Sequence, residues 1–274
     1  MNKKDLQTNL ESTIQDLNDK HNIDADIKVS VYDIQDKSDV DVDGDKIGWA
    51  ASIIKLPIMI TLLEEIEKGN LTSNTKLEVD HKFALQPQDP ITQLPQGTKV
   101  PVNQLLHYMI VYSDNEATNM LADKISIPTI NDSMWNLGMK KSMLGHLLGF
   151  DKPRYSRKFN PDGSNITCTN DMNTSLRHIY DDSFSKLSPY VRRKSDATMS
   201  YTTPELLNKG YFGTGHLIKA KTGIIYNPQD GADVHEVGII DDNLIVSVML
   251  NKINKNNNNK IPTNRPIHLA YKNI

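Results

Sequence analysis

The sequence predicts an α/β fold of the α+β kind, with one antiparallel sheet made from both chain ends, flanked by terminal helices, and an all-helical lobe inserted between them. Three observations predict it. The stretch Asp26-Ile27-Lys28-Val29-Ser30-Val31-Tyr32-Asp33 alternates with period two, as a half-buried strand does. Strand-like runs then return only late, at His216 to Lys221, Val234 to Ile240 and Asn243 to Asn251. Between these ends, apolar residues recur every three to four positions, the helical period. The economical arrangement closes one sheet from strands of both termini. It divides the chain into an α/β lobe, residues 1–50 and 204–274, and a helical lobe, residues 51–203.

The first element is a surface amphipathic helix over residues 3 to 20, where Leu6, Leu10, Ile14 and Leu17 recur between charged residues. The early strand follows, then a polar turn with Asp41, Asp43, Gly44 and Asp45 and a short strand toward Trp49. The acidic turn looks like a fragment of a calcium loop but lacks the glycine at the sixth position and the closing glutamate at the twelfth. It therefore reads as a plain turn, and no metal is expected. From Ile53 to Ile66 apolar residues cover every face of a helix, which marks a helix buried inside the protein. Gly69 and the polar residues around it stop that helix.

Residues 72 to 101, with Pro87, Pro90, Pro95 and Pro101, read as irregular. Helices follow at Val102 to Tyr112, Glu116 to Lys124 and Thr129 to Leu137. Residues 145 to 166 hold three glycines and two prolines, a long surface loop of the kind that compact domains keep mainly for function. Thr169 to Asp181 resumes helix, and short helical pieces run to about Leu207. The late strands are joined by turns at Pro228-Gln229-Asp230-Gly231 and Asp241-Asp242. Asn251 to Lys260 is a polar loop, and Ile261 to Tyr271 closes the chain as a helix. Trp49 and Trp135 read as core, and His107 as a packed or surface histidine rather than a general base.

The chain has 274 residues, 24% of them charged, with a net charge of −3. That length supports one large domain or two lobes with their own cores, and the charge gives no sign of nucleic acid or an anionic membrane as partner. A single cysteine, Cys168, excludes an internal disulfide and a cysteine-based zinc site. No apolar run is long enough to span a membrane. Met1-Asn2-Lys3-Lys4 starts basic without the apolar core of a signal peptide. We expect a monomer without a cofactor, either cytoplasmic or exported with its leader removed.

The chemistry starts at the buried helix. Ser52 and Lys55 stand three residues apart at its beginning, on one helix face. Desolvation disfavours the charged form of a lysine among apolar residues, and a neutral amine beside a hydroxyl is a base beside a nucleophile. Backbone N–H groups at the helix start can stabilise an oxyanion. The plainer alternative makes Ser52 an N-cap and lets Lys55 snorkel to the surface. Two further triplets bear on the choice. Ser113-Asp114-Asn115 lies in a helix–helix turn, where those residue types are common, and Lys221-Thr222-Gly223 lies on a late strand, where a glycine bulge would be ordinary. Each is weak alone.

In this order and setting, S-x-x-K, S-D-N and K-T-G form the signature of class A β-lactamases and penicillin-binding proteins. The segments "ASIIKLPIMITLLEEIEKGNLT", "MIVYSDNEATNMLAD", "GSNITCTNDM", "KAKTGI" and "HEVGIIDDNLIVSVML" also resemble class A β-lactamase-like serine hydrolases, over about residues 27 to 250. The resemblance implies that fold, with the site at the lobe interface. It implies that Ser52 attacks a carbonyl, that Lys55 takes part in activating it, and that Ser113 relays a proton to the leaving nitrogen. Asn115 would hold Lys55 and a substrate amide, while Lys221 and Thr222 would bind the substrate carboxylate. Gly223 would let the substrate lie close to the strand, and the N–H groups of Ser52 and Ile224 would form the oxyanion hole. The implied substrate is a β-lactam or a related amide or ester; a D,D-peptidase, an esterase and an acylated sensor that does not turn over are the alternatives.

One departure concerns turnover. The resemblance calls for a water-activating glutamate on the loop before "GSNITCTNDM", yet no glutamate occurs from Ala117 through Pro204. Asp151 and Asp162 are the carboxylates of that loop, one methylene shorter, and are the candidates for water activation. Impaired deacylation is therefore expected.

Overall fold

The computed structural model describes residues 3–21, 25–150, 154–202, 215–227 and 231–253. Helix α1 (Lys3–His21) leads into β1 (Asp26–Asp33), β2 (Ser38–Val42) and the short β3 (Gly48–Trp49). A 3-10 turn (Ala51–Ile54) opens α2 (Lys55–Glu67), and β4 (Lys76–Glu78) and β5 (Lys99–Pro101) pair with each other. Then come α3 (Val102–Val111), α4 (Asn115–Ile125), α5 (Ile127–Asn136), β6 (Ile166–Thr167), α6 (Thr169–Tyr180) and α7 (Pro189–Met199). Strands β7 (Ile218–Asn227), β8 (Gly231–Ile240) and β9 (Leu244–Ile253) complete the described chain.

The sheet is antiparallel in the order β2-β1-β9-β8-β7, so strands from both ends of the sequence meet at the β1–β9 pair. This is the expected architecture. Two apolar clusters sandwich the sheet. On one face Leu10 and its neighbours on α1 cover Val29, Val31, Val246 and Val248; on the other, Val237, Ile239, Ile245 and Met249 pack against α2 and the helices around it. Every residue of α2 from Lys55 to Leu63 is buried, so α2 is a central helix whose last turn alone reaches solvent, as its all-round apolar sequence requires.

Several expectations need correction. Trp49 is 39% exposed rather than core, because its side chain lies at a cavity mouth while its carbonyl is used inside. Trp135 is half-buried, its ring covered by the Arg157 guanidinium at 3.7 Å. Strand β7 continues well past Lys221, since its register with β8 runs unbroken from Ile218↔Ile240 to Asn227↔Gly231. The acidic turn is a backbone device: Asp41 Oδ1 accepts from the Gly44 N–H, and Asp45 accepts from Asn170. The turn at Pro228 to Asp230, the helical pieces after Thr202, the polar loop after Ile253 and the closing helix at Ile261 to Tyr271 lie outside the described residues. Among the described residues no helix is long and apolar enough to cross a membrane.

Candidate active site

The 3-10 turn and α2 put Ser52 at the floor of a cavity of about 960 Å³, lined also by Ser113, Asn115, Lys221, Thr222 and Ile224. Ser52 is not an N-cap, for the turn carries no side-chain cap bond. Lys55 does not snorkel: it is 0% exposed. Both plain alternatives are therefore absent.

Lys55 Nζ gathers the site. It lies 3.1 Å from Ser52 Oγ and 3.1 Å from Ser113 Oγ, and it donates to the Ser113 carbonyl at 2.5 Å and to Asn115 Oδ1 at 2.8 Å. Burial holds its ammonium form well below the ordinary lysine range and the neighbouring Lys221 lowers it further, while Asp89 and Asp114 act the other way. Desolvation of a cation dominates here. The carbonyl and amide oxygens only accept, so they occupy two N–H bonds of a neutral amine. Its one lone pair is left for a single hydroxyl at a time, that of Ser52 or that of Ser113.

Ser113 reaches this position at a backbone φ of 57°, and Ala51, just before the nucleophile, has a φ of 45°. Both are in the left-handed region, which costs a non-glycine residue roughly 1–3 kcal/mol and persists where the surroundings over-determine it. Asp114 supplies part of that constraint. Its carboxylate caps α4 through Ala117 N–H at 2.7 Å and accepts from Ile91 N–H at 2.8 Å. Asp89, buried in the proline-rich segment, accepts from Asn115 N–H at 2.9 Å. Capping was legible in the S-D-N triplet; Asp89 was not, since it comes from an irregular stretch with no motif.

On the sheet side, Lys221 Nζ donates to Ser113 Oγ at 3.0 Å and to the Thr222 carbonyl at 2.9 Å. Gly223 marks the tightest approach. A Cβ there would meet Ser52 N at 2.9 Å and Ile53 N at 3.0 Å, so only glycine lets β7 lie against the nucleophile turn. Gly223 pairs with His235 on β8. That imidazole donates from Nε2 to the Trp49 carbonyl at 2.9 Å, and burial pushes its pKa down to about 4. It is a neutral strut behind the turn, and sequence reading missed it.

The loop side differs. Asn119 on α4 clamps the Leu148 backbone from both directions, and Asn165 Oδ1 accepts from Gly145 and His146 N–H groups. Leu148, His146, Arg154, Ser164 and Asn165 reach the cavity. Asp162 is exposed, and its carboxylate accepts from Ser164 N–H and Oγ–H; it is not brought to Ser52. Asp151 lies outside the described residues. Among the described residues, the carboxylate that lines the cavity is Asp89.

The model of the beta-lactamase enzyme family matches residues 9–267. Among characterised proteins, the chain is 36% identical to beta-lactamase VEB-1 of Pseudomonas aeruginosa over 26% of its length and 24% of that protein's. It is 32% identical to the extended-spectrum beta-lactamase PER-1 of the same organism over 33% of its length and 31% of that protein's. The aligned stretch thus spans about a quarter to a third of these relatives. Solved structures match along nearly the whole chain. PBP-A superposes with a TM-score of 0.79 at 22% identity, covering 97% of this chain and 94% of that one. A beta-lactamase from Sphaerobacter thermophilus superposes with a TM-score of 0.78 at 18% identity, covering 96% and 94%. At such identities these structures establish the fold, that of class A beta-lactamases.

Proposed function

The chain belongs to the beta-lactamase enzyme family, and on that premise we propose that it is a serine hydrolase acylated at Ser52 by β-lactams or related amides and esters. The single observation that carries the reading is the buried Lys55 amine 3.1 Å from the Ser52 hydroxyl. Ser52 Oγ attacks the carbonyl carbon as its proton passes to Lys55 Nζ. The developing oxyanion meets the N–H groups of Ser52 and Ile224, a pairing supported by the close approach of β7 to the nucleophile turn at Gly223; one such donor is worth roughly 3 kcal/mol. Collapse breaks the carbon–nitrogen or carbon–oxygen bond. The leaving atom takes the Ser113 hydroxyl proton, and Lys55 returns its proton to Ser113, to which it lies 3.1 Å away. The acyl group stays on Ser52.

Lys221 supports this relay through its bond to Ser113. Asn115, with Oδ1 committed to Lys55, offers its Nδ2 to a substrate carbonyl. Trp49, Leu85, Tyr112, Ile224 and Ile225 are exposed apolar side chains that all line the same cavity, and they suit an apolar acyl substituent. Release of the acyl group is slow in this reading, because no described loop carboxylate lines the cavity and a buried ester needs a base to activate water. The test is covalent labelling with a fluorescent penicillin. Wild-type protein takes one label and Ser52→Ala takes none; labelling that survives Ser52→Ala overturns the assignment.

A further inference from the structure

The Asp89 carboxylate has only one of its oxygens in use. Asp89 is 5% exposed, and its Oδ2 accepts from the Asn115 N–H at 2.9 Å. Its Oδ1 accepts no hydrogen bond from the described residues and is not closed off from solvent, so it opens onto the cavity that Asp89 lines. A carboxylate so nearly enclosed, with half of its acceptor capacity unspent, calls for a physical reason. Lys55 does not provide it. Its Nζ donates to the Ser113 carbonyl and to Asn115 Oδ1, and it feels Asp89 only through space.

We propose that Asp89 Oδ1 is a subsite for a protonated amine on the acyl side of the substrate. Its place in the cavity says where that amine sits. Oδ2 holds the backbone N–H of Asn115, the same residue whose Nδ2 is offered to a carbonyl of the acyl substituent. Oδ1 therefore stands beside the atoms next to that carbonyl, and the ligand class is an aminoacyl or peptidyl group with a free α-ammonium. An ammonium there makes a charge-assisted hydrogen bond; a carboxylate there is repelled. The cationic side chains that line the cavity come from other walls, Lys221 from β7 and Arg154 from the loop. Arg154 acts in the opposite sense, but it is exposed and donates to the Asp162 carbonyl. An exposed charge contributes little against water, whereas an enclosed one is weakly screened, so Asp89 prevails. It is a specificity-determining residue: it meets the acyl substituent, not the reacting carbonyl.

This inference rests on acylation at Ser52. The experiment compares three penicillins that share one ring system and differ at the carbon beside the side-chain carbonyl. Ampicillin carries an ammonium there, benzylpenicillin hydrogen and carbenicillin a carboxylate. Acylation rates come from intact mass at about pH 6.5, below the ordinary α-amino range of about 7.7–8.0, each divided by that penicillin's hydroxide hydrolysis rate. Wild-type protein is acylated fastest by ampicillin and slowest by carbenicillin. In Asp89→Asn the amide oxygen still accepts from the Asn115 N–H, but the charge is gone. The ampicillin rate then falls about tenfold relative to benzylpenicillin, the scale of one hydrogen bond to a charged group, and carbenicillin gains. N-acetylated ampicillin removes the charge from the ligand instead, and with wild-type protein it loses the same advantage whether or not the variant folds. A wild-type protein without an ampicillin advantage, or an advantage that survives Asp89→Asn or N-acetylation, overturns the inference alone. So does an Asp89→Asn loss of equal factor on all three penicillins, which would leave Asp89 a support of the turn. Absence of any Ser52 adduct with the three penicillins overturns the acylation reading itself.

Discussion

The two walls of the cavity are built differently. The acylation wall is made of α2, the S-D-N turn and β7, and its key amine has no solvent exposure and three protein residues around it. The facing wall is the loop of residues 145–166, held mainly by side-chain-to-backbone bonds from Asn119, Asn160 and Asn165. The first wall presents a base, a nucleophile and a relay. The second presents His146, Leu148, Arg154, Ser164 and Asn165, with no carboxylate from its described residues. A reaction of two halves, forming an acyl-enzyme and hydrolysing it, needs chemistry on both. The contrast teaches that forming the ester is supported by groups locked into the core, whereas among the described residues of the loop no carboxylate lines the cavity.

Lys55→Ala breaks the first wall most severely. Acylation by a fluorescent penicillin should slow by ~10²–10⁴-fold, the range of general-base assistance. The wild-type pH profile follows from the same group. Because burial lowers the Lys55 pKa, the neutral amine persists to lower pH than it does for an ordinary lysine, and acylation is lost as pH falls through that lowered value. A stopped-flow series across pH checks this; a rate that rises only near the ordinary lysine value of 10.5 would contradict it.

Gly223→Ala comes next. The added Cβ falls 2.9 Å from Ser52 N, so β7 or the nucleophile turn must shift, and a misplacement of this size costs about 10²-fold in rate. Acylation kinetics beside a thermal melt separate lost geometry from lost folding. The opposite wall should be insensitive: Asp162→Asn is expected to leave acylation and acyl-enzyme lifetime within about twofold, since Asp162 holds Ser164 on the exposed side of the loop and surface changes of this kind have small effects. A tenfold longer lifetime would instead assign Asp162 to water activation.

The same division separates what could be read from sequence. Ser52, Lys55 and the buried helix were legible because periodicity and an ion in an apolar run are local signals. The sheet from both chain ends was legible from alternation at Asp26 to Asp33 and again after Val234. Partners fixed by register were not. Glu236 meets Thr222, and His235 meets the Trp49 carbonyl, only through the β7–β8 and β3 placement, and no sequence spacing encodes that. The left-handed backbone of Ala51 and Ser113 was hidden for another reason: neither residue type favours that conformation, so tertiary packing imposes it. Trp49 misled because a large aromatic at a cavity mouth has the same composition as one in a core.

Intact-mass spectrometry over time, after mixing the protein with benzylpenicillin, tests the contrast between the walls most directly. The structure predicts one acyl group on Ser52 formed in the first phase, an adduct that persists, and weak steady-state hydrolysis of a chromogenic cephalosporin after a stoichiometric burst. Rapid, sustained hydrolysis with no detectable adduct would contradict the account, and would direct attention to Asp89, the carboxylate that lines the cavity among the described residues.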